Sequence, residues 1–242
     1  MSRKEKIRFL VLRTIGNFFI LFTIFGFLAT FGPALYFEVH FRVANAFGVK
    51  YTVQNQKVSD SFGQVLARQK ARDAGQNPAD LFGAILNNQH TQVLVPPSTE
   101  FSLIIPKIGA SEAVTENVDP SDPNAYLPVL QHSLAQAKGS AFPGMNGNIY
   151  IFAHSTDNFW DVGRYNAVFY LLKDLKPGDQ VIVYFQSKRY NYTVYDSKIV
   201  DTDQVGEINA NIGSGERLTL QTCWPPGTSW KRLLVYAKPS GS

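Results

Sequence analysis

The strongest feature of the hydropathy pattern is a run with no charged side chain, residues 14–37 (TIGNFFILFTIFGFLATFGPALYF). As an α-helix these 24 residues span about 36 Å, enough to cross a bilayer hydrocarbon core of roughly 30 Å. Gly16, Asn17, Gly26 and Pro33 would weaken a helix in water, whereas a bilayer span tolerates them. The run is too long for the apolar part of a cleaved signal peptide and no A-x-A site follows it, so an uncleaved span is predicted. The period then becomes that of soluble helices. In residues 59–74, Phe62, Val65, Leu66 and Gln69 fall at helical spacing behind Ser59 or Asp60 as N-cap. Leu81, Ile85 and Leu86 suggest a second short helix after Pro78, and Pro96-Pro97-Ser98 ends this partly helical stem.

From residue 99 the pattern is that of strands. Segments 101–105, 148–153, 180–186, 189–197, 216–222 and 232–237 are rich in β-branched and aromatic residues and bounded by Gly, Pro, Asn and Asp. Lys176-Pro177-Gly178-Asp179 marks a turn, and residues 164–173 read as a helix. Short strands with one or two inserted helices favour a closed β-barrel over a doubly wound fold. The predicted organisation is a basic tail (1–13), a transmembrane helix (14–37), an extracytoplasmic stem (38–98) and a mainly β domain (99–242).

Charge changes the picture at one end only. Arg3, Lys4, Lys6, Arg8 and Arg13, against Glu5, account for the whole net charge of +4. The rest of the chain is balanced, so the pI of about 9.1 is no sign of a nucleic-acid partner. Cations before the apolar run, against only Arg42 and Lys50 just after it, predict a single-pass protein of the cell membrane with a cytoplasmic N-terminus. Outside the cytoplasm cysteines usually pair, but this chain has one, Cys223, which cannot form an internal bridge.

That cysteine is one of three reactive side chains placed at strand ends. Leu218, Leu220 and Thr222 share one face of their strand, and Thr219, Gln221 and Cys223 share the other. His154 follows 148–153 on the face of Tyr150 and Phe152, and Arg232 opens the last strand opposite Leu233 and Val235. A thiolate is a nucleophile, and an imidazolium near it lowers the thiol pKa and can protonate an amine leaving group. An arginine forks its donors toward a carbonyl or oxyanion. His154, Cys223 and Arg232 are therefore the candidate catalytic residues. Thr222, Gln221, Trp224 and Pro225, beside the cysteine, are the candidate substrate contacts. His40, His90 and His132 (the last in a predicted helical turn) lack a strand-end position near a cysteine motif and are assigned to surface or packing. Glu112, Glu116, Asp119 and Asp122 read as a loose, solvated acidic loop.

Thr219-Leu220-Gln221-Thr222-Cys223, followed by Arg232-Leu233-Leu234-Val235, resembles the TLxTC … RLxV signature of sortases. Ile105-Pro106-Lys107-Ile108-Gly109, Lys138–Gly144, Gly147-Asn148 and the strand into His154 also match, so the resemblance covers about residues 101–238. It implies a closed eight-stranded barrel and a two-step transpeptidation. In that reaction Cys223 cleaves a C-terminal sorting signal like LPxTG in a secreted protein and forms a thioacyl enzyme. An amine of a peptidoglycan precursor or a pilin subunit then resolves it, with His154 as acid and base and Arg232 on the oxyanion. Two positions depart from the pattern: Ala153 stands where Gly usually precedes the histidine, and Gln136 where many members carry a second, non-catalytic histidine. No cofactor or metal is assigned; calcium stays open, because some sortases bind it through acidic loops. Two alternatives remain. An L,D-transpeptidase-like enzyme places its histidine much closer to the cysteine than the 69 positions between His154 and Cys223. A non-catalytic, membrane-tethered barrel would not need all three reactive positions.

Overall fold

The apolar run lies inside a helix much longer than its own length. The computed structural model describes residues 3–46, 48–53, 91–153, 168–202, 215–225 and 228–240. Helix α1 covers Arg3–Ala46, 44 residues or about 66 Å. Its portion Arg3–Phe27 is long and apolar enough to cross a membrane, with mean hydropathy 1.8 and none of its most apolar stretch buried against protein. The helix itself runs beyond the span predicted at 14–37 and continues for nine residues past it, to Ala46. Charged residues end an apolar run without ending a helix, and here Glu38 and Arg42 pair across one turn at 2.6 Å. Glu38 also meets Lys173 at 2.8 Å, and Phe41 packs against the barrel core. The Lys173 ammonium holds the Glu38 carboxyl below its usual range despite some desolvation.

The two predicted stem helices, at 59–74 and 81–86, lie outside the described residues. What is described on either side of them is a short parallel pair, β1 (Lys50–Val53) and β2 (Thr91–Leu94). Val53 and Leu94 pack onto Ile104, Ile182 and Tyr184 of the barrel, and Ser111 donates its hydroxyl to the Val95 carbonyl at 2.7 Å. Gly109 has φ +66, and a Cβ there would stand 2.8 Å from the Tyr51 ring. Only glycine suits both that conformation and that contact.

The remaining strands are β3 (Phe101–Ile105), β4 (Ala110–Val118), β5 (Leu134–Ala137), β6 (Gly147–Phe152), β7 (Gln180–Phe185), β8 (Lys188–Asp201), β9 (Glu216–Trp224) and β10 (Lys231–Pro239). They close into a barrel in the order β10-β8-β7-β3-β4-β5-β6-β9, with β4–β5 and β6–β9 parallel. Eight strands leave an interior that side chains can fill. Leu103, Ile105, Ile149, Ile151, Leu218 and Leu220 fill it, each fully buried and each contributing roughly 1.5–3 kcal/mol. The fold expected from the resemblance is present.

Several boundaries move, for local reasons. The acidic segment is not a loop: Glu112 and Glu116 lie on β4, whose inward residues Val114 and Val118 are buried. Asp119 is engaged by the Ser121 hydroxyl and amide, and Asp122 caps helix α2 (Pro123–Leu130) by accepting from the Asn124 amide at 2.9 Å. His132 lies just past that helix, exposed in a turn. The predicted helix at 164–173 is a 3₁₀ segment where described, Val168–Asp174. Gln136 is fully buried, with both ends of its amide used: it accepts from the Asn117 amide and donates to Ser140. That ties β5 to the register shift in β4.

One polar tie inside the barrel has a measurable consequence. The buried Tyr192 hydroxyl donates to Glu216, which also accepts from the Gly144 amide at 3.1 Å. Burial and the adjacent carboxylate push the phenol far above its usual pKa. Tyr192→Phe is expected to lower stability by about 1.5–3 kcal/mol, the range for a hydrogen bond to a charged group. Thermal unfolding measures this, and an unchanged midpoint would show that the bond contributes nothing net.

Candidate active site

Strand β9 is flanked by β6, running parallel, and β10, running antiparallel. The inward row is apolar: Leu218 and Leu220 of β9, Ile149 and Ile151 of β6, Val235 and Ala237 of β10, all fully buried. Period-2 alternation then puts Tyr150, Thr219, Gln221, Cys223, Arg232 and Leu234 together on the other face. That face is also buried over most of its length, since Thr219 and Leu234 are almost inaccessible. It opens toward the end of the strands, where Gln221, Cys223 and Arg232 are all partly exposed.

The register brings two of the three candidate catalytic residues side by side. Cys223 and Arg232 are direct cross-strand partners in β9 and β10, a relation that holds Cβ atoms about 4.5–5.5 Å apart. Both lie within their strands, one residue inside the observed ends at Trp224 and Lys231, where the sequence had placed them at the strand ends. Arg232 donates through Nη1 to the carbonyls of Ser229 and Lys231, both at 3.1 Å. Those bonds hold one edge of the guanidinium against the turn and leave the rest of its fork available to a ligand. Neighbouring Lys231 takes the opposite face. It pairs with Trp224 and reaches Asp201 of β8 at 3.4 Å.

His154 lies outside the described residues. Ala153 immediately before it is buried and donates its amide to the Gln221 carbonyl at 3.1 Å, so the pairing of β6 with β9 extends to that point. Of the candidate substrate contacts, Thr222 is buried on the face opposite Cys223, and its hydroxyl has no hydrogen-bond partner among the described residues. Trp224 is half-buried against the core, and Pro225 is exposed. Gln221 accepts a hydrogen bond from the Tyr150 hydroxyl at 2.7 Å. Sequence reasoning missed Tyr150 and also Asn148. The Asn148 carbonyl oxygen accepts from Thr219 at 2.7 Å and from Arg217 at 3.1 Å. The available signal was polar side chains recurring on the same face of two apolar strands. Among the described residues no group of three His, Cys, Asp or Glu is placed to hold a metal ion.

A family model described as Sortase domain matches residues 103–240. Sortase D of Bacillus subtilis (strain 168) is 30% identical over 139 residues, which cover 56% of this chain and 61% of that protein. The chain thus spans less than two thirds of that relative's length. Among solved structures, sortase C1 of GBS pilus island 1 superposes with a TM-score of 0.50 at 22% identity, over 59% of this chain and 64% of that one. The pilus-related sortase C of Group B Streptococcus gives 0.50 at 23% identity, over 61% and 70%. These two share the fold.

Proposed function

The chain belongs to the sortase family, and from that premise we propose that it is a membrane-anchored cysteine transpeptidase acting on C-terminal sorting signals. The observation that carries this is the direct cross-strand pairing of its single cysteine with Arg232. Position supports His154 as the third member. Gly147 pairs with Glu216 and Phe152 with Gln221, and His154 and Cys223 have the same separation in sequence.

In the proposed reaction the Cys223 thiolate attacks the carbonyl of a threonine-type residue in an LPxTG-like signal. Arg232 donates to the oxygen on which charge develops. The C–N bond breaks as the His154 imidazolium gives its proton to the leaving amine, so the acyl group stays on sulfur as a thioester. An incoming amine, from a peptidoglycan precursor or a pilin subunit, attacks that thioester. His154 takes the surplus proton and the thiolate departs, which restores the starting charges. Gln221, Trp224 and Pro225, beside Cys223 in sequence, would receive the peptide. The test is a panel of sorting peptides crossed with different amines. Formation of a new amide with one peptide class supports the proposal, and absence of cleavage across the panel counts against it.

The anchor proposal follows from α1 together with the cations of residues 3–13. With the N-terminus in the cytoplasm, protease added outside intact cells is expected to digest the barrel domain. A protected domain would reverse the orientation.

A further inference from the structure

We propose that Tyr150 is a positioning residue: it turns the side-chain amide of Gln221 so that its NH₂ group donates to a carbonyl oxygen of the peptide bound beside Cys223. The proposal rests on the transpeptidase function above for the identity of the ligand, and on four local observations for the geometry. Gln221 lies two residues before Cys223, so strand alternation puts both on one face of β9. Tyr150 pairs with Thr219 in the neighbouring parallel strand, on that same face, and its hydroxyl reaches the Gln221 Oε1 at 2.7 Å. The Tyr150 ring is only 3% exposed, so the phenol is fixed by packing before any ligand arrives. Gln221 itself is partly exposed, and among the described residues its Nε2 donates to nothing.

The physical consequence follows from the planarity of the amide. Once Oε1 is held by a rigid donor, Nε2 is directed to the opposite side with its two N–H groups unspent. A peptide that places its scissile carbonyl at Cys223 and Arg232 brings its neighbouring backbone over the adjacent position of β9, which is Gln221. An extended peptide has a carbonyl at each residue, and each one desolvated by binding needs a donor. Gln221 is positioned to supply one, and Tyr150 spares the ligand the entropy of orienting it.

The test is peptide affinity in the Cys223→Ala background, where binding is read without turnover. Tyr150→Phe keeps the ring and removes the hydroxyl. Gln221→Glu keeps an acceptor for Tyr150 and removes both donors, and Gln221→Met removes donor and acceptor at similar volume. Each single variant is expected to weaken binding of an LPxTG-like peptide by about 3- to 10-fold, the scale of one neutral hydrogen bond. The double variant Tyr150→Phe/Gln221→Met is expected to bind no worse than Gln221→Met alone, because Tyr150 acts through Gln221. Parent-like affinity in Gln221→Glu would overturn the donor role. Losses that multiply in the double variant would make Tyr150 an independent structural residue. Failure of the parent to bind any sorting peptide would remove the ligand and the proposal with it. Binding with the expected pattern but no turnover by the unmutated enzyme would instead sink the transpeptidase function and leave the Tyr150–Gln221 arrangement standing.

Discussion

Cys223→Ala is expected to abolish both peptide cleavage and amine transfer, a loss of about 10⁴-fold or more, as when the nucleophile of a coupled catalytic set is removed. The chain has no second thiol to take over. The fold should survive, because Cys223 is only half-buried near the end of β9, beyond the fully buried Leu218 and Leu220. The measurement pairs initial rates on one sorting peptide with thermal unfolding of the same samples. Loss of activity with an unchanged unfolding midpoint is the expected pair of results. Substantial residual turnover would mean that the chemistry does not pass through sulfur.

The second large effect concerns the residue facing that thiol. Arg232 and Cys223 are cross-strand partners, and the guanidinium is held at one edge by the Ser229 and Lys231 carbonyls. A lysine in its place would keep the charge but present a point, not a fork of coplanar donors aimed by those two bonds. Arg232→Lys is therefore expected to lose on the order of 10²-fold or more in kcat, the scale for removing an oxyanion donor. Lys231→Ala provides the contrast. Its ion pair with Asp201 is exposed on both sides and lies on the other face of the strand, and surface pairs of that kind contribute little. Near-normal kcat in Arg232→Lys together with collapse in Lys231→Ala would move the oxyanion role from one residue to its neighbour.

The sequence was informative where burial is one-sided or continuous. Six strands could be placed from apolar and aromatic runs, because β3, β6 and β7 bury nearly every residue, β9 and β10 bury their central runs, and β8 contributes Tyr192, Val194 and Val200. Strand β4 was hidden by Glu112 and Glu116, charged residues that signal solvent although Ala110, Val114 and Val118 along the same strand are buried. Strand β5 was hidden by its shortness and by Gln136, a polar residue satisfied entirely by its neighbours. The pair β1–β2 is four residues long on each side, too short for alternation to register, and it exists because Val53 and Leu94 find an apolar patch on the barrel.

Candidate residues were legible as strand-end positions, whereas their relations were not. Nothing in TLQTC or RLLV states that Cys223 and Arg232 are in register, since register depends on the length of the turn between β9 and β10 and on which rows must point inward. The Tyr150–Gln221 bond likewise joins positions 71 residues apart. A parallel pairing of β6 with β9 creates it, and such pairings leave no local trace in sequence.

In the proposed reaction the peptide is transferred through the sulfur of Cys223. The most direct measurement is mass spectrometry of the intact protein quenched during turnover of a sorting peptide. The expected result is an added mass equal to the acyl fragment, mapped by digestion to the peptide containing Cys223 and discharged by an added amine. Steady product formation with no adduct on Cys223 at any time, persisting in Cys223→Ala, would contradict it.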